Sequence, residues 1–328
     1  MQRRHRLSFD AYRQRVDVRS NSVERVPLGS TGLETSRLGI GLAEIGSEFS
    51  FKEIEQAGEL LNEALDRGIN FLDTAACYGI SEELIGRTVA GRRDEYILAT
   101  KAGHATGDYD GDEWTRQTVA DSIDRSLERL RTDRLDIVQL HSCDIEVLER
   151  GDVIRALEDG KTAGKLLHVS YSGDNENAKW AVDSGLFDTL QTSLNLTDQG
   201  GRTSGLLAAA AARGMGIIIK RPIGGGTWAR AKQAAAAQRQ YDNEYRERAA
   251  AMWAGEDLPD EPQDGIALAL GFTLAHPEVN VAIVGTKNPS HMRSNLELLE
   301  RGLHAPKSTV AELRARWDRV GADWKQLN

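Results

Sequence analysis

Cysteine is scarce, with only two in 328 residues, and no stretch approaches the eighteen or more apolar residues of a membrane-spanning helix. Neither a disulfide-stapled scaffold nor an integral membrane protein is implied, and a reducing, cytoplasmic setting is the expectation. Basic charge is also short. Forty-one Lys and Arg against 50 Asp and Glu give a net charge of -9, the wrong balance for a surface that grips nucleic-acid phosphates. A small soluble partner fits better. The opening segment is arginine-rich but has no apolar signal core and no small-residue cleavage site. Residues 1–25 therefore read as a flexible or surface-laid extension ahead of a single domain over 26–328.

A G-x-G-x-x-G loop after the first strand is missing too, which counts against an open doubly wound sheet. What is present is one repeated phrase: a short apolar run, a turn, then an amphipathic helix. Eight strands are expected, at Arg37–Leu42, Ile69–Asp73, Tyr96–Lys101, Leu135–Leu140, Leu166–Tyr171, Thr189–Ser193, Gly216–Ile219 and Val281–Val284. Between them, Ile54, Ala57, Leu61, Ala64 and Leu65 share a helical face behind a Ser50/Glu53 capping box, and Val119, Ile123, Leu127 and Leu130 form another stripe. Gly68, Gly164 and Gly185 each close a helix before a strand. Eight strands alternating with helices predict a (β/α)8 barrel with an N-terminal hairpin. Residues 227–265 break the rhythm after the seventh strand and read as helix followed by loop. Connections of that kind emerge at the catalytic face.

Three neighbouring expected strands end in ionisable residues, Asp73, Lys101 and His141, where barrel enzymes gather catalytic groups. Any one of them could simply be a polar strand stop. Tyr78 follows Asp73 by five residues, close enough to swing back over the strand ends. An ammonium beside a phenol favours the phenolate, so Lys101 is expected to lower the pKa of Tyr78 while Asp73 holds Lys101 charged. His141 can donate to a carbonyl oxygen. The group suits acid–base work at an oxygen and contains no nucleophile–base pair of the acyl-transfer kind. The sequence holds no expected metal site.

The phrases Gly68-Ile-Asn-Phe-Leu-Asp73-Thr-Ala-Ala-Cys-Tyr78-Gly79, Ala99-Thr-Lys101 and Asp136-Ile-Val-Gln-Leu-His141, in that order, resemble the aldo-keto reductases. So do the entry segment at 26–39, residues 160–170 and Val284-Gly-Thr-Lys-Asn-Pro289, and the likeness covers about residues 25 to 300. It implies an NAD(P)-dependent oxidoreductase acting on a carbonyl/alcohol pair, with Asp73, Tyr78, Lys101 and His141 as the catalytic tetrad and Tyr78 as general acid/base. It also implies a nicotinamide dinucleotide, NADPH with NADH as the alternative, lying across the barrel mouth. Ser172 and Gln191 match the carboxamide contacts. Lys220, Arg221 and Gly224 fall in the stretch matched to the pyrophosphate, where a glycine run can form an anion nest. Gly285, Lys287, His291 and Asn295 fall in the stretch matched to the adenosine phosphate, at a helix N-terminus.

Several residues depart from the family pattern. Gly173 replaces an asparagine, Lys220 stands where an aromatic ring often stacks on the nicotinamide, and His291 and Ser294 replace an arginine and an acid. Cys77 and Cys143 flank Tyr78 and His141, and small active-site lining is their expected role. Trp114, Tyr171, Trp228 and Trp253 are candidates for the substrate mouth, with ordinary packing an equal reading. Two alternatives remain: a cofactor-bound sensor or regulatory subunit of the same fold, and an aldolase using Lys101 as a Schiff-base amine. The pairing of Lys101 with Asp73 weighs against the latter.

Overall fold

A computed structural model describes residues 23–107, 109–230, 242–253 and 256–327. Most of the expected N-terminal extension lies outside the described residues, and Arg25, assigned to it from sequence, already belongs to the first strand. The strands are β1 (Arg25–Pro27), β2 (Glu34–Ser36), β3 (Leu38–Gly41), β4 (Phe71–Asp73), β5 (Ile97–Ala102), β6 (Leu135–His141), β7 (Leu166–Ser172), β8 (Thr189–Ser193), β9 (Gly216–Lys220) and β10 (Val281–Gly285). β1 and β2 form an antiparallel hairpin, and β3 to β10 close a parallel barrel in chain order, with β10 beside β3. All eight expected strands are barrel strands. The boundaries differ by one or two residues at most ends. β5, β6, β7, β9 and β10 run one residue further than expected, to Ala102, His141, Ser172, Lys220 and Gly285, because the ladder pairs Ala102 with Leu140, His141 with Ser172, Ser193 with Lys220 and Gly285 with Gly41.

The hairpin plugs the N-terminal end. Leu28 and Leu33 are buried and share one cluster with Phe71, Ile97, Ile137, Ile218 and Val281 inside the barrel. Gly216 makes room for this plug, since a Cβ there would come within 2.6 Å of Leu28 Cγ. The larger core lies between barrel and helices. Ala57, Leu60, Leu61, Ala64 and Leu65 of the helix Ile54–Asp66 are all buried, and so are Val119 and Ile123 of the helix Arg116–Arg129. The Ser50/Glu53 capping box is present, heading a short 3-10 turn that leads into the first of these helices. Gly68, Gly164 and Gly185 do take left-handed φ, which glycine adopts at little cost.

The segment after β9 begins with a 3-10 turn at Gly224–Gly226 and a helical turn at Thr227–Arg230, and continues as the helix Asp242–Trp253. Residues 231–241 of this expected helix-and-loop lie outside the described residues. Its second helix packs Met252 with Leu258, Phe272, Leu313 and Trp317 in a separate cluster beside the C-terminal helix Lys307–Val320. As expected, it reaches the face where the strands end. Asp242 lies against Gly225, and Tyr245 Oη lies 3.5 Å from Asp198 Oδ2 on the loop after β8.

Candidate active site

Parallel pairing places the C-terminal residues of the strands on adjoining rungs. Lys101 is level with Gln139, and His141, Ser172 and Gln191 form one row across β6, β7 and β8. Asp73 sits at the centre of what these rungs present. Its Oδ2 accepts from Lys101 Nζ at 2.6 Å, and its Oδ1 accepts from Gln191 Nε2 at 2.7 Å and Gln139 Nε2 at 3.0 Å. Lys101 Nζ also donates to the Thr74 carbonyl at 2.9 Å. An ammonium has three N–H groups. Two are thus fixed, and the third is left for Tyr78, whose ring centroid lies 4.8 Å from Nζ.

Burial works against the charge on Lys101, but Asp73 and Tyr78 outweigh it and hold the lysine pKa above its ordinary value. A permanently charged, buried lysine is a poor Schiff-base nucleophile. For Tyr78 the balance falls the other way from the sequence expectation. Lys101 does pull the phenol down, but burial pushes it up further, and the net pKa is raised. The cause is the depth of the site: removing water disfavours phenolate more than one ammonium, itself shared with Asp73, restores. His141 is held well below its usual pKa by burial and by the cations Lys101 and Lys220, so its imidazole is neutral at pH 7. Its ring centroid lies 5.6 Å from that of Tyr78, edge to face.

The two cysteines separate into different environments. Cys77 Sγ lies 3.2 Å from His141 Nδ1, at the site as expected. Cys143 does not line the site: it is buried in the barrel–helix core, and its carbonyl accepts the Tyr171 hydroxyl at 2.7 Å. Tyr171 is therefore a core residue too. Trp228 donates to the Ile223 carbonyl at 3.0 Å and Trp253 packs on the second cluster, whereas Trp114 stands at the mouth beside His104.

Ser172 Oγ donates to Gln191 Oε1 at 2.9 Å, and both side chains are buried beside Asp73. A hydroxyl and a primary amide side by side are a donor and acceptor set that fits a carboxamide. Gly173 leaves no room for an asparagine, because a Cβ would meet the buried Tyr171 ring at 2.6 Å. Lys220, at the end of β9, is turned to Asp174, with Nζ 2.8 Å from Oδ2. Arg221 Nη2 lies 3.7 Å from the same oxygen, and its Nη1 donates to the Leu327 carbonyl at 2.5 Å. Gly224, Gly225 and Gly226 all have positive φ, but the Gly224 and Gly226 amides already donate to Arg221 and Ile223 carbonyls. The anion nest expected there is partly filled by its own turn.

At the last strand, Gly285 pairs with Gly41, and Asn288 caps the helix Pro289–Glu300 by accepting from the Ser290 amide at 2.9 Å. Lys287 is exposed and paired with Glu48, and Arg293 is paired with Glu63 at 2.8 Å. His291 is exposed, while Asn295 is buried in the helix.

Sequence reading passed over Gln139 and Asp174. Gln139 was findable from period two, since Ile137, Gln139 and His141 share one face of β6, and Asp174 was findable as the acidic residue two positions past Ser172, where β7 gives way to the helix Asn175–Ser184. Asp174 is fully buried and also accepts from Thr192 Oγ1, the Ser193 amide and Gln326 Nε2.

Residues 37–317 match the family model described as "Aldo/keto reductase family". The chain belongs to that family. It is similar to L-galactose dehydrogenase of Arabidopsis thaliana, 28% identical over 89% of this chain and 94% of the relative. It is also 28% identical to D-threo-aldose 1-dehydrogenase of a Pseudomonas species, over 87% of this chain and 94% of the relative. The holo form of an aldo-keto reductase from Bacillus halodurans superposes with a TM-score of 0.75 at 23% identity, over 90% of this chain and 96% of that one, which shows the shared fold. The protein is thus a nicotinamide-dependent oxidoreductase. Among its described residues no helix is long and apolar enough to cross a membrane.

Proposed function

We propose that this aldo/keto reductase moves a hydride between NADPH and the carbonyl or alcohol carbon of a small aldehyde, ketone or sugar, with Tyr78 as general acid and base. The observation that carries the reading is the doubly anchored Lys101, whose remaining N–H is left for the Tyr78 phenol. Bound nicotinamide supplies or takes the hydride. Tyr78 gives its proton to the substrate oxygen during reduction and takes it back during oxidation, and Lys101 stabilises the phenolate formed between. Because burial keeps the phenol protonated at neutral pH, reduction is favoured there and oxidation at alkaline pH. Neutral His141 orients the same oxygen. A Cys77 thiol donating to Nδ1 leaves the other ring nitrogen as the N–H donor.

Ser172 and Gln191 would hold the carboxamide. Lys220, Arg221 and Gly224 would lie under the pyrophosphate, and Gly285, Lys287, His291 and Asn295 along the adenosine end. The cations Lys287 and Arg293 support NADPH over NADH. The two relatives acting on sugars, as their names state, support an aldose-like substrate. The test is steady-state turnover of NADPH and NADH with aldehydes, ketones and aldoses, in the parent and in Tyr78→Phe. A fall of about 10²–10⁴-fold in kcat with cofactor affinity retained is expected, and equal turnover in the two proteins would remove Tyr78 from the mechanism.

A further inference from the structure

The loop after β5 is folded back so that its two ends meet. The Trp114 amide donates to the Gly103 carbonyl at 3.0 Å, and Arg150 Nη2 holds the Trp114 carbonyl at 3.2 Å. The Trp114 ring lies flush on Gly103, where a Cβ would come within 2.0 Å of it. Gly103 has φ +125° and Trp114 itself sits at φ 60°, a left-handed conformation that a bulky residue keeps only when its surroundings enforce it. This closed loop brings His104 into the ring cluster at the mouth, with its centroid 4.7 Å from Trp114 and 5.2 Å from His141.

One nitrogen of His104 is fixed. Nδ1 lies 3.2 Å from Glu113 Oε1, and the same oxygen accepts the Ala105 amide at 3.2 Å. With Nδ1 turned to the carboxylate, Nε2 is the ring nitrogen left to meet a ligand hydroxyl, which can both donate and accept. It has no hydrogen-bond partner among the described residues, and the side chain keeps 35% of its surface open. The imidazoles of His104 and His141 thus stand edge to face at one opening. Their centroids are 5.2 Å apart, a separation that oxygens on adjacent carbons of one small molecule can span when each is hydrogen-bonded to one ring.

We propose that His104, set by Glu113, reads a hydroxyl on the carbon next to the reacting one, selecting hydroxylated aldehydes over plain aliphatic ones. This rests on the reading of Tyr78 and His141 as holding the reacting oxygen. A site that hydrogen-bonds a substrate hydroxyl rejects the analogue lacking it, because its own polar group is left unpaired, whereas an apolar wall such as Trp114 discriminates weakly.

The test compares glyceraldehyde with propanal at saturating NADPH in the parent, His104→Phe and Glu113→Gln. The ratio of kcat/KM for glyceraldehyde to that for propanal is expected to fall roughly 10–100-fold in His104→Phe, chiefly through KM, and less in Glu113→Gln. A parallel fall for both aldehydes, or an unmoved ratio, overturns the proposal and makes the pair a loop clamp. Calorimetric titration of glycerol and 1-propanol into the parent and His104→Phe reads binding without turnover. Weaker glycerol binding in the variant supports the assignment, and equal binding overturns it. If the parent reduces neither aldehyde with NADPH or NADH, the redox reading of the site fails, and the glycerol titration still decides the role of His104.

Discussion

Two buried lysine–aspartate pairs stand at the same rim of the barrel, and they differ in what shares the carboxylate. Asp73 holds one cation, Lys101, and two neutral amides, so the lysine pKa is raised despite burial. Asp174 is shared by Lys220 and Arg221. Burial lowers the Lys220 pKa more than Asp174 raises it, with Arg221 and Lys101 adding repulsion. The same two residue types are thereby set for different work. The first pair presents a firmly charged ammonium to Tyr78, and the second ties the end of β9 to the C-terminal segment through Gln326. A Lys–Asp contact alone says little about function; the number of charges around the carboxylate decides it.

The largest expected effect breaks this comparison at its Lys101 end. Lys101→Met should lower kcat by on the order of 10²–10⁴-fold and move the alkaline limb of the oxidation profile to higher pH, since the phenol loses the charge that pulls its pKa down. Lys220→Met should cost far less in kcat, because Lys220 faces Asp174 rather than Tyr78. Steady-state pH profiles of both variants check this, and equal losses would make the two pairs equivalent.

Next comes stability. Asp174→Asn leaves Lys220 and Arg221 facing each other in the interior, and removing one partner of a buried pair costs about 3–5 kcal/mol. Lys220→Met should cost less, since Arg221 and four hydrogen-bond donors still satisfy the carboxylate. Urea midpoints measure both, and the reverse order would sink the reading. The pKa of Asp174 is depressed: burial alone would raise it, but Lys220 and Arg221 lower it further. Its contribution is therefore present above the unfolded carboxylate pKa and is lost as the pH falls below it.

Asp198 gives the opposite slope. Fully buried, it accepts the Leu327 amide at 2.9 Å, and burial pushes its carboxyl up to about 7. Between the unfolded pKa, about 3.9, and 7 the folded chain binds one proton more than the unfolded chain, so this group makes stability fall as pH rises through that window. Asp198→Asn keeps an acceptor and should flatten the decline. Unfolding free energies at pH 5 and pH 8 test it, and an unchanged difference between the two pH values would count against the assignment.

Much of this was legible because it follows from alternation. Asp73 and His141 end strands and Lys101 stands one residue before the end of another, in apolar runs that are plain, so both the barrel and the clustering of these three residues could be placed from sequence. Hydrogen-bond competition was not legible. Nothing in the residues around Lys220 announces that it turns to Asp174, since that contact joins β9 to a residue 46 positions earlier through the curvature of the closed sheet. The net direction of the Tyr78 pKa was missed for a related reason. A motif shows which charge is near but not how much water is gone. Cys143 was misplaced because two residues past His141 the chain has already turned into the helical layer.

The smallest effect sharpens the contrast between buried and exposed pairs. Lys287 and Glu48 form an ion pair at the surface, where water screens both charges and such contacts contribute little. The pairing therefore leaves Lys287 free to exchange partners. If it serves a 2′-phosphate, the phosphate carries more charge than Glu48 and can replace it, while Glu48 acts as a competitor. Glu48→Gln should then tighten NADPH a few-fold and leave NADH where it was, and Lys287→Ala should weaken NADPH selectively. Dissociation constants of both cofactors for the parent and the two variants decide the matter. Equal changes for NADPH and NADH, or a parent that prefers NADH, would assign Lys287 to the surface and leave the choice of cofactor to other residues.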